Sequence, residues 1–243
     1  WLTGCVQEEF ESTPSPAGNG IRFTLTVPDV NLPSVSSRTM TGTGTAKKED
    51  EIETVDILVF DMSKTPAVFL EWVSATGVTQ DLADNSTVSF SAVLSPTTAS
   101  TCIVVVANKE LDNIVSGFTK GATTKVEAME KMLHTQTGKW LADGSTTGGY
   151  TRIPMYGEKV ISKITPSMDP ITDINMKRML ARIDIRNNSA TSNFTVEEVY
   201  LANYNTTGYI APAWNTNGQV TDPVPDTPPG HHLQCRAAAG RPD

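Results

Sequence analysis

The chain has 243 residues, a formal net charge of −8, 19% charged residues, three Cys and three His. An acidic balance without a Lys/Arg-rich block argues against a phosphate-backbone binder, which needs a clustered basic surface, so nucleic acid is not expected as a partner. No stretch approaches the roughly 18 to 20 consecutive apolar residues of a spanning helix, and the spaced Cys form neither a CxxC pair nor a disulfide framework.

Thr and Val are conspicuous, with Ile adding to the β-branched share. Such side chains are stiff and pack well on a pleated surface, so a mostly-β protein is expected. The chain opens Trp1-Leu2-Thr3-Gly4-Cys5, which resembles the lipobox of bacterial lipoproteins, where a peptidase cuts before a Cys that then carries lipid. On this reading Cys5 is the lipidation position, residues 1–20 are a lipobox remnant and tether, and most of the signal peptide is missing from the sequence. More than one acyl chain makes a stable anchor without a spanning helix.

Ile21-Arg22-Phe23-Thr24-Leu25-Thr26-Val27 places apolar residues at every odd position and polar ones at every even position. That alternation predicts a half-buried strand, which Pro28 ends. Residues 34–51 then read as a long Ser/Thr/Gly loop with Arg38 near its start. A loop of this length is usually functional or disordered, and an isolated Arg there is within reach of an Arg-specific protease or is simply solvated.

Val55 to Phe60 carries apolar residues on both faces and reads as a central strand; Asp61 to Lys64 is a turn, and Val68 to Val73 a returning hairpin strand. Val88, Phe90 and Ala92 alternate with Ser in a further strand, and Cys102 to Ala107 is a continuous apolar run expected to be buried on both faces. Cys102 is read as a small core hydrophobe, because no basic partner is identifiable nearby in the sequence. One helix is expected from Thr124, where Thr-x-x-Glu has capping-box spacing and Val126, Met129 and Leu133 follow at helical intervals up to His134.

Strand character returns at Arg152 to Gly157 and Lys159 to Ile164, whereas residues 166–175 are irregular and suggest a domain boundary near 175. Met179 to Arg186 and Phe194 to Tyr204 are further strands. From residue 226 the chain shows no strand pattern and resembles a tag-like or vector-derived end. His231, His232 and Cys235 are metal-ligand types, but adjacent His residues chelate one ion poorly and no fourth ligand is in sight. No metal site or other cofactor is expected.

The lipobox LTGC, the strand IETVDILVFD (residues 52–61), the buried run IVVVANK (103–109), IPMYGE (153–158), and MLARIDIRN followed by FTVEEVYLAN together resemble the fimbrillin family, the major fimbrial subunits of type V pili. The resemblance covers about residues 5 to 205 and implies an all-β protein of two transthyretin-like β-sandwich domains with one short helix. The N-terminal domain then takes residues 21–175, a partial second domain 176–225, and an atypical tail 226–243. It further implies export through the periplasm as an outer-membrane lipoprotein anchored at Cys5, processing by an Arg-specific protease at Arg38, and assembly with other pilus subunits on the cell surface. In such assembly the strand bearing Ile21, Phe23, Leu25 and Val27 is removed and a neighbour's strand replaces it. Arg22 is the poorer cut, since its strand's ladder shields it.

Two other readings compete. A monomeric surface lipoprotein would bind glycan or a host protein through loops, with Trp140, Tyr150 or Trp214 as stacking residues and Trp72 as interior packing. An enzyme is the weakest reading, because no GxSxG, HExxH, Walker or dinucleotide fingerprint is present.

Overall fold

The computed structural model describes residues 21–27, 50–80, 87–135, 152–180 and 207–211, together with the backbone of 196–200 and 234–237. Its body is a β-sandwich. The first sheet is built from β1 (Ile21–Thr26), β4 (Thr76–Gln80), β5 (Thr87–Ala92) and β9 (Ile171–Asn175), in the order β4-β5-β1-β9. The second holds β2 (Val55–Asp61), β3 (Val68–Ser74), β6 (Thr101–Ala107), β8 (Met155–Ile161) and the two-residue β10 (Lys177–Arg178), in the order β10-β8-β6-β2-β3.

The burial of each strand follows from where its sheet lies. In β1 and β5 only alternate residues are buried, because one face meets the core and the other meets solvent. In β6 all seven residues are buried, as are six of seven in β2, because the second sheet is covered on both faces. Ile57, Val59, Ile103 and Val105 point into the inter-sheet core with Phe23, Leu25, Val88 and Phe90. Leu58, Phe60, Cys102, Val104 and Val106 form a second core on the opposite face. That second core is closed by α1 (Asp112–Val115), α2 (Lys125–Glu130), Met132, Ile210 and Ala211.

The helix expected from Thr124 is α2, and both halves of its capping box form: Thr124 accepts from the Glu127 N–H and the Glu127 carboxylate accepts from the Thr124 N–H. It is shorter than the periodicity predicts. Leu133 and His134 belong to β7 (Leu133–Thr135), which pairs antiparallel with β12 (Thr207–Tyr209). Val126 is 60% exposed, and Ala128 and Met129 supply the inward face instead. A second helix, α1, was not expected, and four residues are too few to show periodicity.

The segments expected at 152–157 and 159–164 are joined in one strand, β8. Residues 166–175, read as irregular, contain β9, whose pattern is hidden by a bulge at Asp173, at φ 59°. β4 is an edge strand interrupted by Gly77 at φ 63°, with no regular burial alternation to reveal it. On either side of residue 175 the chain packs into the same body: Ile174 and Met176 are both buried in the inter-sheet core, and β10 pairs with β8. Residues 234–237, which lack a sequence pattern, form β13 (Gln234–Ala237), antiparallel to β11 (Val196–Tyr200) with Val199 opposite Cys235. Strand character expected at 181–186 lies outside the described residues.

Candidate functional site

The strongest candidate is the slot that β1 fills. β1 is an inner strand, hydrogen-bonded on both sides. On one side it runs antiparallel to β5 in unbroken register from Ile21 opposite Ala92 to Thr26 opposite Thr87. On the other it runs parallel to β9, where the register shifts between Phe23, opposite Ile171, and Leu25, opposite Ile174. One wall is therefore regular and the other is broken by the Asp173 bulge. Just beyond the strand, the Met176 N–H donates to the Thr26 carbonyl at 2.9 Å.

The alternation read from sequence sets the side chains. Ile21, Phe23, Leu25 and Val27 are all buried in the inter-sheet core, none more than 4% exposed. Phe23 lies opposite Phe90, and their rings stack at 5.0 Å between centroids, 6° from parallel. Arg22 is opposite Ser91 on the other side of the pleat. The structure thus brings the four apolar positions together. Cys5 and Arg38 lie outside the described residues.

The chain re-enters the described body at residue 50, and a polar clasp holds it there. Gln80 accepts from the Ile52 N–H at 3.0 Å and donates to the Asp50 carbonyl at 2.8 Å. The Asn108 side chain accepts from the Glu53 N–H and donates to the carbonyls of Glu51 and Ile153. Arg152 bridges Glu51 and Glu53, and Arg178 pairs with Asp50. Sequence reasoning missed this clasp, because its members come from four distant segments. The φ of 57° at Asn108 has only a weak signature, Asn being tolerated in the left-handed region.

One sequence expectation needs correction. Cys102 does have a basic neighbour: Lys125, whose charge lies close enough to act on the thiol and which donates to Glu158 at 2.7 Å. Lys125 sits on α2, whose place over the sheet could not be read locally. Burial pushes the Cys102 thiol pKa up, and the Lys125 charge opposes this only in part. For Lys125 burial works against the charge, but its bond to the Glu158 carboxylate outweighs that, and its pKa is raised. A fully buried, protonated thiol is a packing group and not a nucleophile. Trp72 is half-buried and packs against the margin of the second core. Trp140, Tyr150, Trp214, His231 and His232 lie outside the described residues, and among those described no cluster of His, Cys, Asp or Glu has metal-binding geometry.

Fold and slot together define the class: a β-sandwich protein whose first strand is an internal member of its sheet. Residues 21–221 match the family of the major fimbrial subunit protein (FimA), and the chain belongs to that family, one of structural subunits and not of enzymes. A search of curated proteins found no match. Among solved structures the chain is similar to a fimbrial assembly protein of Parabacteroides distasonis ATCC 8503, at 12% identity and a TM-score of 0.44, over 84% of this chain and 71% of that one. It is also similar to a proposed cell adhesion protein of the same organism, at 17% identity and a TM-score of 0.48, over 91% of this chain and 63% of the other. The chain therefore spans less than two thirds of that second protein's length.

Proposed function

We propose that this chain is a structural subunit of a cell-surface pilus that is exported as an outer-membrane lipoprotein through Cys5, cut by an Arg-specific protease at Arg38, and joined to other subunits by strand exchange. One observation carries this reading: the first strand is not a flap on an edge but the strand that joins β5 to β9. Arg38 lies between β1 and the clasp at 50–53. A cut there leaves β1 held only by non-covalent contacts, while the clasp keeps the rest of the chain in place.

The energetics favour replacement over vacancy. Each of Ile21, Phe23, Leu25 and Val27 contributes about 1.5 to 3 kcal/mol of burial. Each backbone group left buried and unpaired along β5 and β9 costs about 1 to 3 kcal/mol. A strand from a neighbouring subunit restores both terms, as in other β-augmentation complexes. Until the cut, covalent attachment keeps the resident strand at high effective concentration and holds polymerisation back.

The test is to treat the purified chain with an Arg-specific protease, locate the cut by mass spectrometry, and follow assembly by size-exclusion chromatography with other subunits of the pilus. Arg38→Ala is expected to remain uncut and monomeric under conditions in which the parent assembles. Assembly of Arg38→Ala at the parental rate would remove processing from the mechanism.

A further inference from the structure

The slot raises a question that alternation cannot answer. A strand with apolar residues at every second position keeps its apolar face on the core after a slip of two residues, so periodicity alone leaves the register open. The register must be marked by side chains that differ along the slot. On β5 the residues opposite Ile21, Phe23 and Leu25 are Ala92, Phe90 and Val88: a methyl, an aromatic ring and a β-branched side chain. The other wall gives little help, because the β9 pairing is interrupted between Phe23 and Leu25.

We infer that Phe90 is the register-determining residue of the slot, and that the strand which replaces β1 is one with an aromatic side chain at the place now held by Phe23. This rests on the strand exchange proposed above and names the partner chemistry of that exchange. Phe23 and Phe90 are both buried, directly opposite across the ladder, and stacked nearly parallel at 5.0 Å. Stacked aromatic pairs add binding beyond their buried area. A slip of two residues moves the incoming ring opposite Ala92 or Val88, breaks the stack, and sets an aliphatic side chain of different shape on Phe90. Interiors packed at crystal-like density do not absorb such a change of shape. The occupant is therefore a strand from another subunit with apolar residues alternating with polar ones and a ring at the second apolar place.

The experiment uses the full chain nicked by an Arg-specific protease, with labelled peptides spanning Ile21–Val27 offered in excess and uptake read by mass spectrometry. Three peptides are compared: the native sequence, Phe23→Leu, and Phe23→Leu/Leu25→Phe, which keeps composition but moves the ring. The native peptide is expected to be taken up about 10-fold better than either of the others. With Phe90→Leu protein, the native and Phe23→Leu peptides are expected within about 3-fold of each other. The peptide series uses wild-type protein, so it does not depend on a variant folding. Equal uptake of all three by wild-type protein would overturn the inference while leaving strand exchange standing. Uptake of none would overturn strand exchange and the inference with it.

Discussion

At the scale of single residues, Gly157 has the least room among the described glycines. A Cβ built there would lie 2.8 Å from the Ile174 Cγ2, 2.9 Å from the Asn175 carbonyl oxygen and 3.0 Å from the Met176 sulfur. Glycine thus lets β8 of one sheet approach β9 of the other, and β9 is a wall of the slot. Gly157→Ala is expected to destabilise the protein by about 1 to 3 kcal/mol, seen as a lower urea midpoint with an unchanged slope. Two carboxylates respond to acid in opposite senses. Burial holds the Asp56 pKa above the usual aspartate value, despite a bond from the Ser74 hydroxyl at 2.7 Å. Its contribution to stability is therefore present below the unfolded pKa and is lost as pH rises through the folded one. Glu127 is held below the usual glutamate value by the Thr124 backbone N–H and hydroxyl. Its contribution is present above the unfolded pKa and disappears as pH falls through the folded value. Glu127→Gln should accordingly be less stable than the parent near pH 7 and equal to it in strong acid, a convergence that urea titrations at several pH values will show or deny.

At the scale of elements, the clasp at 50–53 is the structure on which the proposed processing would depend, because it fixes the chain to the body after β1. Asn108 is its hub, with three side-chain hydrogen bonds to backbone groups of two segments. Asn108→Ala leaves a donor and two acceptors to find water and places alanine at a φ of 57°, at a cost of about 1 to 3 kcal/mol. The expected sign is new proteolytic cleavage near residues 50–54 while β6 keeps its protection; an unchanged digest would show that Arg152, Arg178 and Gln80 hold the segment without Asn108. Elements were legible in the sequence where local pattern and environment coincide. β1 and β5 alternate because they divide core from solvent, β2 and β6 are uniformly apolar because their sheet is covered twice, and the Thr124–Glu127 box marks the start of α2. They were illegible where a distant partner decides. Leu133 and His134 fit a helical interval but are drawn into a strand by residues 207–209, and β9 is disguised by its bulge. For the site the same division holds: the four apolar positions of β1 were readable, but not its place between β5 and β9.

At the scale of the whole molecule, the two layers depend on β1 unequally, as the proposed strand exchange would require. The second sheet pairs through five strands without β1 and has its own core on the far face, closed by α1, α2 and Ile210. Among the described residues the first sheet has no other link between β5 and β9. Loss of β1 should therefore split one sheet and leave the other standing as the platform for an incoming strand. Leu25→Arg tests this without protease, because Leu25 is fully buried and an unpaired charge there is too costly for the strand to keep its place. Hydrogen exchange measured by mass spectrometry is expected to accelerate at least about 100-fold in β4, β5 and β9, while β2 and β6 remain close to wild-type protection. Acceleration of β2 and β6 to the same degree would mean that the sandwich unfolds as one unit. A subunit of that kind could not stand with its slot empty, and the proposed exchange would have to be concerted, with the incoming strand displacing β1 residue by residue from one end of the slot.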